Sequence, residues 1–272
     1  MIYQTVEGEE VPALGLGTWR VTGDDCREAI ADALKIGYRH IDTAQAYENE
    51  AEVGEALAES DLDRDEIFLV TKVWPSNLEP EALHRSVDRS LGKLQTGYVD
   101  LLYVHWPAGG FEMNATMEAL RTQKEEGNAR RLGVSNFTPD LLEAAMERAP
   151  LFALQVEYHP FLDQRELIGR CREHDLLFTS YSPLARGEVL DDETLQSIAE
   201  AHGKTPAQVA LRWQVQQDHV AAIPKASSAK HRRDNFEIFD FELSQKEMNA
   251  IFDLARGERI VAPDQLAPAA WG

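Results

Sequence analysis

Short apolar runs alternate with stretches of helical periodicity along the chain. The runs cover 14–17, 39–42, 67–71, 99–105, 131–135, 153–157, 177–180 and 220–224, which makes eight candidate strands. Between them, apolar residues recur at helical spacing over 24–36, 49–59, 80–94, 113–126, 139–148, 165–174, 192–202 and 206–217. Thr138-Pro139 and Thr205-Pro206 mark two helix starts, since a first turn tolerates a missing N–H. No Pro/Ser-rich linker or low-complexity segment interrupts the pattern, so one domain is expected over residues 1–272. Eight strands alternating with helices over this length predict a (β/α)8 barrel. An open doubly wound sheet is the alternative, and a G-x-G-x-x-G turn after the first strand would favour it. That turn here reads Gly15-Leu16-Gly17-Thr18-Trp19-Arg20 and lacks the third glycine. Residues 3–11, apolar around Glu7-Gly8-Glu9, predict a small hairpin closing one end of the barrel.

The polar residues closing the runs are Asp42, Lys72, His105, Ser135-Asn136, Gln155, Tyr181-Ser182 and Lys225. In a barrel all of these lie on the C-terminal rim, where active sites are built. Lys72 follows a buried run, so its ammonium needs a partner, and Asp42 on the neighbouring strand is the candidate. Tyr47 lies in the loop just past Asp42. An adjacent ammonium is expected to lower the pKa of a phenol and make it a proton donor near neutrality. A neutral His105 can hydrogen-bond the same acceptor oxygen. The set reads as carbonyl reduction, with hydride from a cofactor and a proton from Tyr47. A structural Asp–Lys bridge beside a core histidine explains any one of these residues, but not all of them together on one rim.

Charge narrows the partners. There are 27 Lys and Arg against 47 Asp and Glu, for a net charge of -20, which excludes a nucleic-acid binder with clustered cations. Only 8 of the basic residues are Lys. The acids are spread along helices, consistent with either an ordinary solvated surface or adaptation to a high-salt cytoplasm. Cys26 and Cys171 are too few for a disulfide framework or a multi-cysteine metal site. No metal is expected. No apolar run reaches membrane-spanning length, and the first residues show no signal peptide, so a cytoplasmic protein is expected.

The motifs together resemble the aldo-keto reductase superfamily. Gly37-Tyr38-Arg39-His40-Ile41-Asp42-Thr43-Ala44 with Tyr47-Glu48-Asn49-Glu50 and Val53-Gly54 is similar to its first signature. Leu101-Leu102-Tyr103-Val104-His105-Trp106-Pro107, Gly133-Val134-Ser135-Asn136-Phe137, Gln155-Val156-Glu157-Tyr158-His159-Pro160, Tyr181-Ser182-Pro183-Leu184 and Ile223-Pro224-Lys225 follow in family order. The resemblance implies a metal-free barrel reducing aldehydes and ketones with NADPH. It implies that Tyr47 is the general acid, that Lys72 and Asp42 tune it, and that His105 orients substrate. It implies that Thr18 and Trp19 flank the cofactor, that Ser135, Asn136 and Gln155 hold the nicotinamide carboxamide, and that Tyr181 stacks on the ring. Ser182 and Leu184 would follow the pyrophosphate. Lys225, Ala226, Ser227 and His231 would hold the 2′-phosphate, with Asp234 and Asn235 near the adenine.

The chain departs from the family at that phosphate clamp. Ala226 stands where serine is usual and His231 where arginine is usual, removing one hydroxyl and one fixed bidentate donor. Ser227, Ser228, Lys230, Arg232 and Arg233 are near enough in sequence to substitute, so NADPH is expected to be preferred and NADH use is possible. Leu154 in place of asparagine and Ala185 in place of glycine are further departures. Trp19, Trp74, Trp106 and Phe111 are expected to line the substrate pocket with Tyr47 and His105, while Trp271 either folds over it or belongs to a disordered tail. The short loop after His105 points to small, polar carbonyl substrates. A monomer or weak homo-oligomer is expected. The alternative function is a nucleotide-sensing regulatory subunit on the same barrel.

Overall fold

The computed structural model describes residues 1–108, 111–263 and 266–267. An antiparallel hairpin comes first, β1 (Tyr3–Val6) and β2 (Glu9–Pro12). Eight parallel strands follow: β3 (Leu16–Gly17), β4 (His40–Asp42), β5 (Phe68–Val73), β6 (Val99–Val104), β7 (Ala129–Ser135), β8 (Leu151–Glu157), β9 (Leu177–Tyr181) and β10 (Val220–Ala222), each paired with the next. Parallel bridges Leu14↔Ala222 and Gly17↔Lys225 join the last strand to the first. The Gly15 N–H donates to Ala222 O at 2.9 Å, and the Gly17 N–H to Pro224 O at 3.1 Å. An open sheet would leave two edges, whereas here the edges meet, and the architecture is the (β/α)8 barrel.

The expected helices form as α1 (Gly23–Ile36), α2 (Glu50–Ala58), α3 (Pro80–Lys93), α4 (Met113–Glu125), α5 (Pro139–Met146), α6 (Arg165–Glu173), α7 (Glu193–His202) and α8 (Pro206–Val215). Thr138 and Thr205 cap α5 and α8, accepting the N–H of Leu141 and Gln208. Two more helices, α9 (Ala229–Phe236) and α10 (Gln245–Phe252), did not emerge from the periodicity. The α9 sequence AKHRRDNF has too few apolar residues to show a stripe. The start of α10 was legible, because Ser244 and Glu247 form a reciprocal capping box.

The hairpin closes the N-terminal end, as expected. Val6 and Val11 join Phe68, Val70, Leu101, Tyr103, Phe152, Ala153, Leu177 and Ala221 in the cluster that fills the barrel interior. Gly133 makes room for this filling, since a Cβ there would sit 2.4 Å from the Tyr103 ring. Strand alternation places Phe68, Val70 and Lys72 on one face of β5. Lys72 therefore lies within the strand, pointing to the interior, and not past its end as the charge pattern suggested.

Candidate active site

Asp42 closes β4 and meets Lys72 of β5 above the apolar filling. The Lys72 ammonium is 0% exposed and donates to Asp42 Oδ1 at 2.5 Å and to Thr43 O at 2.9 Å. It also reaches the Tyr47 hydroxyl at 3.5 Å. Gln155 Nε2 donates to Asp42 Oδ2 at 2.9 Å, so both carboxylate oxygens are satisfied. The Tyr47 ring meets His105 edge-on at 5.7 Å, and Trp74 packs on the other side of His105 at 5.3 Å. The four groups expected to act together are thus in contact.

Two residues given no role from the sequence, Gln45 and Asn49, hold the Tyr47 turn in place. Tyr47 ends a 3-10 turn, Gln45–Tyr47. Gln45 Oε1 accepts the Trp74 N–H and an Asn77 amide N–H, both at 3.0 Å, while its amide donates to Ser90 Oγ. Asn49 is fully buried beside the turn. Its amide donates to Thr18 O and Val21 O, and its oxygen accepts the Thr43 hydroxyl at 2.6 Å. Asn49 stands in the quoted signature. Gln45 lies between the signature's two blocks, where only its place beside Tyr47 signalled it.

Electrostatics correct one expectation. The Tyr47 pKa is raised well above its ordinary value, first by burial and then by the Asp42 charge. Counting only the neighbouring ammonium gave the wrong sign. Burial, and then Lys72, hold His105 well below the usual histidine range, so its imidazole is neutral as expected. Burial likewise lowers the Lys72 pKa, against the opposing pull of Asp42. The result is a protonated phenol beside a neutral imidazole, with a charge-balanced pair behind them.

These groups border a cavity of about 1010 Å³. Its lining includes Thr18, Trp19, Asp42, Tyr47, Trp74, His105, Trp106, Ser135, Asn136, Gln155, Tyr181, Ser182 and Leu184, and then Lys225, Lys230, His231, Asp234 and Asn235. Lys72 lies behind this surface. Phe111 is not among the lining residues described; its ring meets Phe137 edge-on at 5.6 Å. Trp271 lies outside the described residues. Asn136 is not an open amide. In a left-handed conformation (φ 64), it donates to His105 O and Ser135 Oγ and accepts the Tyr181 hydroxyl at 2.7 Å.

The phosphate-clamp candidates divide sharply. Ala226 and Ser227 are absent from the described lining and give their carbonyls to Arg232 Nη1. The Arg232 guanidinium is buried and pairs with Asp32 of α1 at 2.7 Å, so it is committed to the fold and does not replace the missing arginine. Ser228 caps α9 by accepting the His231 N–H. Of the five candidate substitutes, only Lys230 is among the lining residues, and it pairs with Asp234 one helical turn on.

Two further stretches contribute to the cavity lining, Arg186-Gly187 and 260–263. In 185–187, Ala185, Arg186 and Gly187 all have positive φ, at 47, 52 and 105°. That explains why glycine suits position 185, where alanine costs about 1 kcal/mol of backbone strain. Nothing in the structure gives buried Leu154 a functional role. The second segment is 260–263, which follows α10. Its Ile260 and Val261 N–H groups donate to the Glu157 carboxylate at 2.6 and 2.9 Å. Glu157 ends β8 inside a motif already singled out, and also meets His159 Nε2 at 3.0 Å. Burial pushes the Glu157 pKa up, but these hydrogen bonds outweigh it and hold the carboxyl below its ordinary range.

Among the described residues, no helix is long and apolar enough to cross a membrane, and no His, Cys, Asp and Glu side chains group as a metal site. The profile of the Aldo/keto reductase family matches residues 13–256. The chain is 40% identical to methylglyoxal reductase DkgB of Escherichia coli O157:H7, covering 95% of this chain and 98% of that protein. It is 41% identical to glyoxal reductase of Bacillus subtilis (strain 168), covering 95% of each. A crystal structure assigned provisionally as a 2,5-diketo-D-gluconic acid reductase B superposes with a TM-score of 0.96 at 44% identity, covering 99% of this chain and 97% of the other. The chain belongs to the aldo/keto reductase family, and its reaction is reduction of a carbonyl group with a nicotinamide cofactor.

Proposed function

We propose that the protein is an NADPH-dependent reductase of small, polar aldehydes and ketones, with Tyr47 as the general acid. The observation that carries this reading is the protonated Tyr47 phenol and neutral His105 side by side on the cavity, with the Lys72–Asp42 pair behind them. The bound cofactor supplies hydride to the carbonyl carbon. Tyr47 gives its proton to the carbonyl oxygen as the C=O π bond breaks, leaving an alcohol. His105 donates a hydrogen bond to the same oxygen and fixes its direction. Lys72, 3.5 Å from the Tyr47 oxygen, favours the phenolate left when the proton departs. The Ser135 hydroxyl and Gln155 amide oxygen are suited to the nicotinamide carboxamide, and the Tyr181 ring offers a stacking face.

NADPH preference is supported by the cations Lys225 and Lys230 on the cavity, with His231 beside them. One observation favours a second reading, use of NADH: Asp234 neutralises Lys230 and presents a carboxylate suited to a ribose hydroxyl. The relatives named for methylglyoxal, glyoxal and diketogluconate reduction support a small, oxygen-rich substrate. Two buried thiols without a disulfide support a cytoplasmic location. A sensing role is not favoured, because every group of a working proton donor is in place.

The test is Tyr47→Phe, assayed with methylglyoxal. Turnover is expected to fall by about 10²–10⁴-fold, while tryptophan fluorescence reports an unchanged NADPH Kd. A variant that turns over at the parental rate removes Tyr47 from the mechanism. NADPH and NADH titrations of the parent protein decide the cofactor.

A further inference from the structure

Residues 253–263, which follow α10, form no helix or strand of their own, and 260–263 line the cavity. Such a segment frays unless its backbone is tied down. Two ties are present. The Arg256 and Glu258 N–H groups both donate to Phe161 O at 3.1 Å. Further along, the Ile260 and Val261 N–H groups converge on the two oxygens of Glu157. The Glu157 side chain is 0% exposed, and a carboxylate buried to that degree needs donors on it. His159 supplies one and the segment supplies two. Acid and segment therefore depend on each other, since removing either leaves polar groups of the other without partners. Glu157 itself does not line the cavity, whereas residues 260–263 do.

We infer that Glu157 is a positioning residue of the reductase. Its carboxylate pins 260–263 as one wall of the cavity, and so governs how well a carbonyl substrate is held without touching the reacting atoms. The inference rests on the function proposed above.

The experiment compares Glu157→Gln, Val261→Pro and the double variant in the full chain. Glutamine keeps the size but one oxygen becomes a donor, and proline at 261 has no N–H to give. Each single variant is expected to raise KM for methylglyoxal about tenfold with kcat within about twofold, the scale of one lost charge-assisted hydrogen bond. The double variant is expected to be no worse than the worse single one, because both break the same tie. Trypsin cleavage after Arg259 should accelerate about tenfold in all three. Additive KM effects, a fall in kcat at constant KM, or unchanged cleavage would each overturn the inference. If Glu157→Gln does not fold, Val261→Pro leaves the buried acid in place and carries the test. A parent protein without reductase activity would refute the proposed function, while the cleavage assay would still decide whether Glu157 is the pin.

Discussion

The Asp42–Lys72–Tyr47–His105 group and the α9 side of the same cavity both place charge beside open space, by opposite means. In the first, each charge is answered inside the protein. Lys72 has two oxygens within 2.9 Å, and Asp42 has a donor on each oxygen. On the cavity side of α9 the cation stands in solvent: Lys230 is 76% exposed and pairs with Asp234. Proton transfer needs atoms fixed to fractions of an ångström, and burial supplies that. Holding a phosphate needs positive charge nearby, and a flexible side chain meets that need. An exposed α9 residue such as His231 can therefore change without disturbing the fold, whereas the quartet can hardly change one member alone.

Lys72→Met breaks the comparison hardest. It leaves Asp42 as an unpaired buried charge and should cost about 3–5 kcal/mol in urea denaturation, whereas Lys230→Met should stay within about 0.5 kcal/mol. Equal losses would mean the two regions are not differently built. His231→Arg sharpens the α9 side, because it restores a forked donor and should tighten NADPH binding about tenfold with little change for NADH, as read by fluorescence titration. Equal tightening of both cofactors would place residue 231 away from the phosphate. The smallest expected effect is a near-absence. His105 titrates below its ordinary range and Tyr47 above its own, so the imidazole stays neutral on the acid side and the phenol stays protonated on the alkaline side. The kcat should therefore hold nearly constant from about pH 6 to about pH 9. A step near 6.5 would show that His105 titrates in that range and is less desolvated than its burial suggests.

The barrel was legible because each strand and helix buries a face that leaves a period in the sequence. Lys72 shows where that signal stops. A charged residue ends an apolar run on paper, yet in β5 it continues the inward face, because Asp42 waits on β4 to receive it. The sign of the Tyr47 shift depended on burial and on Asp42, neither of which a list of neighbours conveys. Asn136 and Gln155 line the cavity, but the direction of each amide depends on His105, Tyr181 and Asp42, which are remote in sequence. Arg232 looked available only while Asp32, two hundred positions earlier, was out of view. The polar helix α9 and the 260–263 wall leave no periodic trace, so nothing in the pattern announced them.

The seam of the barrel joins two of its short strands, two residues in β3 and three in β10, across roughly two hundred positions of chain. Contacts between such distant segments form late in folding and open early in local unfolding. Gly17 and Lys225, which bridge the seam, also line the large cavity. The dinucleotide proposed above, laid across them, would stitch that join, so cofactor abundance in the cell would govern how long each copy of the enzyme resists unfolding as well as how fast it turns over.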